Sequence, residues 1–234
     1  MARLARIVAP GVAHHITQRG NNRQDVFFVD DDRRVYLALL KEQCEKHGLK
    51  VIAYCLMTNH VHIVGVPQHK HSLARAIGRT HFQYARYVNR MHGRSGHLWQ
   101  NRFDSCVLDP PHLINTLIYA ERNPVRAGIV RLAWEYRWSS APAHTGRLPD
   151  ASGLLDLAEW RKRHPDAAFW RDLLRRPEDA DVLTSIRQKT HHGRPLASDA
   201  FVSKLEHKLG RRLRPLPGGR PRKRNGKEEG RTDE

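Results

Sequence analysis

Apolar residues recur along this chain with two different periods. Around Val12 to Arg19 they alternate weakly with polar ones and end in Gly20-Asn21-Asn22-Arg23, which predicts a short strand and a turn-rich tip. Asp30, Asp31 and Asp32 then open a segment in which Val35, Leu39, Leu40 and Cys44 recur at helical spacing, with Gly48 placed to close it. Leu49 to Met57 is mostly apolar, the mark of a central strand. Thr58-Asn59 interrupts it, and His60 to Val66 reads as a second strand ending at Pro67. Residues 71–92 lack proline, and Leu73, Ile77, Tyr84, Val88 and Met91 fall within about 60° of one another on a helix. His97 to Leu108 looks extended. Pro110-Pro111 starts another helix that reaches about Asn123 and is stopped by Pro124.

The order strand, helix, two strands, helix, strand, helix lacks the alternation of a doubly wound sheet. It predicts an α+β domain over residues 1–145, a ferredoxin-like antiparallel sheet with helices on one face. After Gly146 the pattern changes. Segments 154–176 and 178–190 read as charged helices anchored by Trp160, Phe169 and Trp170, and Ser198 is placed to cap a helix in which Phe201, Leu205 and Leu209 share a face. Residues 146–210 are therefore expected to be a small helical region, a candidate for DNA binding that resembles a helix-turn-helix around His192-Gly193-Arg194-Pro195 in outline only. Residues 211–234 hold almost no apolar side chains and are expected to form a disordered basic tail. Within it, Gly219-Arg220-Pro221-Arg222-Lys223 suits either an A·T-rich minor groove or a nonspecific basic tail.

Composition narrows the class. Hydrophobic residues make up 39% of 234, enough for one ordinary core of about 150 residues and a poorer appendage. The longest apolar run, Val51 to Met57, is far short of the roughly 20 residues a membrane helix needs, so no membrane partner is expected. No secretory signal is visible. Cys44, Cys55 and Cys106 are odd in number and far apart, which excludes a disulfide scaffold or a cysteine zinc ribbon and fits a cytoplasmic protein.

Charge points to a polyanion. The chain carries 41 Lys or Arg against 24 Asp or Glu, a formal +17. Between Glu45 and Asp104 there is no acidic residue, while that window holds nine Lys or Arg and eight His. On the predicted helix 71–92, Arg75, Arg79, Arg86 and Arg90 share an arc opposite the apolar stripe, with Phe82 beside them. Four guanidinium groups on one face suit successive phosphates, and Phe82 is placed to stack an unpaired base unless it is simply a partly buried aromatic.

Two elements carry candidate chemistry. In His60-Val61-His62 a strand sends both imidazoles to one face, which is half of a divalent-metal site. With 16 His in the chain one such pair is expected by chance, and His69-Lys70-His71 is another. On the helix 110–123, Leu113, Ile114, Leu117 and Ile118 define a buried side. Tyr119 lies outside that stripe with Asn123 one turn further on, placing Tyr119 either in a site or at a rim. Glu121 falls inside the apolar arc with no evident reason.

Four ordered strings, Thr17-Gln18-Arg19-Gly20-Asn21-Asn22-Arg23, Ala53-Tyr54-Cys55-Leu56-Met57-Thr58-Asn59-His60-Val61-His62, Gly96-His97-Leu98-Trp99-Gln100-Asn101-Arg102-Phe103 and Asn123-Pro124-Val125-Arg126-Ala127-Gly128, resemble the REP-associated tyrosine transposases, a family of the single-tyrosine HUH endonucleases. Tyr119, four residues before Asn-Pro, and Trp138-Ser139-Ser140 extend the resemblance over about residues 5–145. It implies the HUH form of the ferredoxin-like sheet, with His60 and His62 as metal ligands, Asn123 as the third, Tyr119 as nucleophile and Mg²⁺ or Mn²⁺ as cofactor. The implied activity is transposition chemistry on single-stranded DNA or hairpin-associated repeats. Tyr119 attacks a phosphate polarised by the cation, leaving a 5′-phosphotyrosine and a free 3′-OH. Arg19, Arg23 and the helix 71–92 are then expected to hold the strand or the foot of a hairpin, with the protein a monomer or homodimer. Two other classes stay open: a noncatalytic nucleic-acid binder of the same fold, and a zinc hydrolase using His60, His62 and an unidentified carboxylate.

Overall fold

A computed structural model describes residues 6–163 and 166–215. The basic string Gly219-Arg220-Pro221-Arg222-Lys223 and the tail from 216 onward lie outside the described residues.

Four strands, β1 (His14–Arg19), β2 (Leu49–Met57), β3 (His60–Pro67) and β4 (Asp104–Val107), form one antiparallel sheet in the order β2-β3-β1-β4. This is the ferredoxin-like arrangement the element order predicts. α1 (Asp30–His47) joins β1 to β2, and α2 (Ser72–Met91) joins β3 to β4. Asp32 accepts from the Phe28 and Val29 amides at 2.7 and 3.0 Å, fixing the start of α1, and Gly48 ends it in the left-handed region at φ 66°. β2 and β3 meet in a hairpin with Met57 opposite His60.

The two faces of the sheet carry different layers. α1 and α2 cover one, burying Leu40, Leu73, Ile77 and Tyr84 against Ile16, Val61 and Ile63. Met91, placed in this stripe by spacing, is exposed because the helix ends there, and Ala76, Thr80 and His81 complete the buried side. α3 (Pro110–Glu121) covers the other face, where Leu113 and Leu117 meet Val64, Val66 and Cys106. Ile114, expected on the buried side, is exposed. α3 breaks at Arg122, and a short α4 (Asn123–Arg126) begins on Asn123-Pro124.

The rest of the chain follows as α5 (Ala141–His144), α6 (Leu157–Arg163), α7 (Ala167–Arg175), α8 (Ala180–His192) and α9 (Asp199–Leu209). Residues after 146 share a core with the sheet: Trp160, Trp170, Leu174, Ile186 and Leu196 join the cluster of Leu113, Leu117 and Val64. Glu121, inexplicable by pattern, accepts from Ser140 Oγ, His144 Nδ1 and, at 2.9 Å, Trp170 Nε1, so a carboxylate forms the buried junction between α3 and these helices. Ser198 caps α9 through the Phe201 amide. α8 and α9 pack into different clusters, with Ile186 beside the sheet core and Val202 and Leu205 beside Ile7 and Val107, rather than as one recognition unit.

Expected to be extended over 97–108, the chain is strand only at Asp104–Val107. Residues 97–103 instead latch the Gly20–Arg23 tip: the Asn21 amide donates to the Leu98 carbonyl at 2.8 Å and the Gln100 amide to that of Arg19 at 2.9 Å.

Candidate active site

Strand register gathers polar side chains on the α3 face. β1 pairs with β3 so that Thr17 lies opposite His62 and Arg19 opposite His60, and alternation sends His15 the same way. The rings of His60 and His62 are 5.1 Å apart between centroids. His60 Nδ1 donates to the Asn59 amide oxygen at 2.6 Å, fixing its ring from the hairpin turn. The Asn123 side chain sits beside the His60 ring and favours its protonated form. Its amide nitrogen is committed to the Tyr119 carbonyl at 3.3 Å, which leaves its oxygen for the histidine side.

Tyr119 stands perpendicular to His62 at 5.3 Å and to His15 at 5.9 Å between ring centroids. Its ring is 6% exposed and belongs to the buried cluster, so the polar-rim placement read from helical spacing is corrected. α3 is covered on two sides, by the sheet and by the helices after residue 146, which brings Tyr119 inward.

Burial, the positive charges of Arg19 and Arg126, and only partial compensation by Asn123 lower the His60 pKa to about 4. Burial also pushes His62 well below its usual value, with His60, His15, Arg126 and Arg19 adding to it. Both imidazoles are therefore neutral at neutral pH and keep a lone pair for a ligand.

A cleft of about 390 Å³ opens on Tyr119 and His62. Arg19, Arg23, Arg102 and Arg187 line it, and Asp104 faces His191 at 3.4 Å across it. Four guanidinium groups against one carboxylate suit a phosphodiester strand. Among the described residues no group of three or more His, Cys, Asp or Glu side chains converges to hold a metal. A cation would rest instead on His60, His62 and Asn123, two neutral nitrogens and an amide oxygen. With two imidazole nitrogens that set suits a divalent first-row transition ion, so of the two expected ions Mn²⁺ fits it better than Mg²⁺, which prefers oxygen ligands; having no carboxylate, it leaves the ion's charge to act on a phosphate. The carboxylate that a zinc hydrolase would need as third ligand is not supplied by the described residues around the pair.

The remaining expected residues lie elsewhere. Arg75, Arg79, Arg86 and Arg90 are exposed, as is Phe82 with the Arg86 guanidinium 5.7 Å from its ring. They sit on the outer side of α2, which covers the opposite face of the sheet from Tyr119. The structure thus unites Arg19 and Arg23 with the histidine–tyrosine cluster and separates the α2 arginines from it.

Several residues at the site carry little signal of their own. Arg126 lies over the Tyr119 ring at 4.4 Å, and its position within the Asn123–Gly128 string is its one trace in sequence. His15 becomes visible only once β1 is paired with β3. Arg102, Arg187 and Thr190 come from segments whose place in the fold no local pattern reveals.

Residues 9–123 match the family described as transposase IS200 like. A Haemophilus influenzae protein named as a REP-associated tyrosine transposase is 27% identical over 124 residues, spanning 48% of this chain and 68% of that one. Among solved structures, that of a REP-associated tyrosine transposase bound to a REP hairpin aligns with a TM-score of 0.53 at 17% identity, over 67% of this chain and 90% of the other, a likeness of fold.

Proposed function

For a chain whose residues 9–123 match the IS200-like transposase family, we propose a tyrosine transposase that cleaves and rejoins single-stranded DNA beside hairpin-forming repeats. One observation carries this reading: Tyr119 and His62 line an arginine-lined cleft with their rings 5.3 Å apart, and the His60 ring lies 5.1 Å from that of His62.

Arg19, Arg23, Arg102 and Arg187 hold the strand's phosphates, and burial keeps His60 and His62 neutral and oriented. His60, His62 and Asn123 would hold a divalent cation, which when bound would supply charge to polarise the scissile phosphate. The Tyr119 oxygen attacks phosphorus and loses its proton to solvent. The bond from phosphorus to the 3′ oxygen breaks, and that oxygen leaves as a hydroxyl. The phosphodiester is conserved as a 5′-phosphotyrosine, so an incoming 3′-OH reverses the step without ATP. Tyr119 and the ligand Asn123 are four residues apart and tied by the hydrogen bond between them, so nucleophile and ligand move as one unit.

The test incubates full-length protein with labelled hairpin oligonucleotides bearing single-stranded flanks, with Mg²⁺ or Mn²⁺, and looks for a covalent adduct. Wild type forms the adduct, Tyr119→Phe binds DNA without forming it, and His60→Ala loses the metal-dependent reaction across a Mn²⁺ titration. DNA binding without any wild-type adduct identifies the noncatalytic reading instead.

A further inference from the structure

His62 is held by a relay that starts outside the transposase-matched residues. His15 Nε2 lies 2.9 Å from His62 Nδ1, with the two rings parallel to within 4°. His15 Nδ1 lies 2.8 Å from the Thr190 hydroxyl on α8, and that hydroxyl is 3.3 Å from Cys106 Sγ on β4. All four side chains are buried. A buried polar chain of this kind is maintained only if each member has a partner, and here each does.

Protons can run along the chain in two directions. Outward, His62 Nδ1–H donates to His15 Nε2, His15 Nδ1–H donates to Thr190 Oγ1, and the Thr190 O–H turns to the Cys106 sulfur. His62 Nε2 is then a bare lone pair. Inward, the Thr190 hydroxyl donates to His15 and His15 to His62, which puts an N–H on His62 Nε2 where a cation needs a donor pair. Metal-bound histidines are commonly oriented through their second nitrogen in the outward sense.

We infer that His15 and Thr190 are positioning residues: running outward, their relay holds the His62 proton on Nδ1 and leaves Nε2 a free lone pair on a ring that lines the cleft with Tyr119. The inference rests on the proposed metal-assisted strand transfer, and it gives the region after residue 146 a part in the active site. His60 has a local partner in Asn59, its sequence neighbour, whereas His62 depends on a residue 128 positions further along the chain. α8 also lends Arg187 to the cleft wall, so displacement of this helix would disturb both the ligand and the strand path.

The test uses full-length wild type, Thr190→Val, which keeps the shape and removes the hydroxyl, and Thr190→Ser, which restores it. Nitrogen-15 NMR of the histidine rings in DNA-free, metal-free protein reads the tautomer of His62, and calorimetry or electron paramagnetic resonance with Mn²⁺ alone reads metal affinity. The expected result is an Nδ1–H His62 in wild type, a mixed tautomer with roughly 10- to 100-fold weaker Mn²⁺ binding in Thr190→Val, and recovery of both in Thr190→Ser. An Nε2–H His62 in wild type, or wild-type Mn²⁺ affinity in a folded Thr190→Val, overturns the inference. The wild-type tautomer decides even if the valine variant does not fold. Correct tautomer and metal binding without a Tyr119 adduct would end the strand-transfer reading while the relay stands.

Discussion

Arg126 holds Tyr119 from two sides: its guanidinium carbon lies 4.4 Å from the centroid of the phenol ring, and its Nη2 donates to the Tyr119 carbonyl at 2.9 Å. Glu178, between α7 and α8, grips the same guanidinium through both oxygens at 2.5 and 2.6 Å. The candidate nucleophile is therefore braced by a residue of its own motif, which is braced in turn by the C-terminal region.

Arg126→Lys keeps the positive charge but cannot cover the ring, bond the carbonyl and pair with Glu178 at once. A cation–π contact in a desolvated setting is worth about 1–2 kcal/mol, so adduct formation is expected to slow roughly tenfold while oligonucleotide affinity stays near wild type. Single-turnover cleavage beside a binding titration checks this. Wild-type cleavage in the lysine variant would show that charge alone suffices.

Acid is expected to destabilise the fold through its buried histidines. His14 donates from Nδ1 to the Val12 carbonyl at 2.8 Å and accepts the Ala9 amide at Nε2 at 3.2 Å, so both nitrogens are committed in the neutral ring. Burial, partly offset by its bonds to backbone, lowers its pKa to about 4, and burial with the nearby Arg6 charge lowers that of His81 to about 3. Above pH 6.5 neither folded nor unfolded chain is protonated there, and stability is unaffected. As pH falls from 6.5 toward 4 the unfolded chain takes protons the native state refuses, costing up to about 1.4 kcal/mol per pH unit for each histidine. Denaturant midpoints measured between pH 7 and 4.5 should fall steeply, and His14→Gln should make that fall shallower.

Much of this was legible in the sequence because one-sided elements announce themselves. α1 with its acidic start and Gly48, the β2–β3 hairpin around Thr58-Asn59, and the polar and apolar sides of α2 all follow from local spacing. α3 did not, because it is buried on two sides and the single-stripe pattern fails: Tyr119 turns inward, Ile114 outward, and Glu121 is buried for the sake of three donors from other segments. Long-range register hid the rest. Nothing near His15 shows that it will meet His62 and Thr190, and nothing on α2 shows which side of the sheet its arginines will take.

Gly20 is where the arginine tip tolerates no side chain. A Cβ there would come 2.2 Å from the Gln24 carbonyl oxygen, and Asn22 and Arg23 already sit at positive φ, 50° and 60°. Gly20→Ala is expected to cost about 1–3 kcal/mol and to weaken oligonucleotide binding, because it moves the backbone between Arg19 and Arg23. Thermal unfolding and a binding titration separate the two effects. Lost stability with unchanged binding would remove the tip from the strand path.

Glu121 tests whether the C-terminal helices and the site form one cooperative unit. Its carboxylate takes hydrogen bonds from α5 through His144, from α7 through Trp170, and from Ser140, all in the interior, and it stands two residues from Tyr119. Glu121→Ala leaves three buried donors without their acceptor, a change expected to cost about 3–5 kcal/mol. Glu121→Gln keeps one acceptor oxygen but turns an NH₂ toward a donor, so it should fall between wild type and alanine. With five tryptophans in the chain, the Trp170 signal is isolated as the fluorescence difference between proteins with and without Trp170→Phe, and far-UV circular dichroism reports on the whole fold. If the fluorescence midpoint in Glu121→Ala drops together with adduct formation under conditions where the sheet persists, the helices after residue 146 are needed to hold Tyr119 in place. A variant that loses the Trp170 environment yet cleaves at the wild-type rate would confine Glu121 to stability and separate the nucleophile from the C-terminal region.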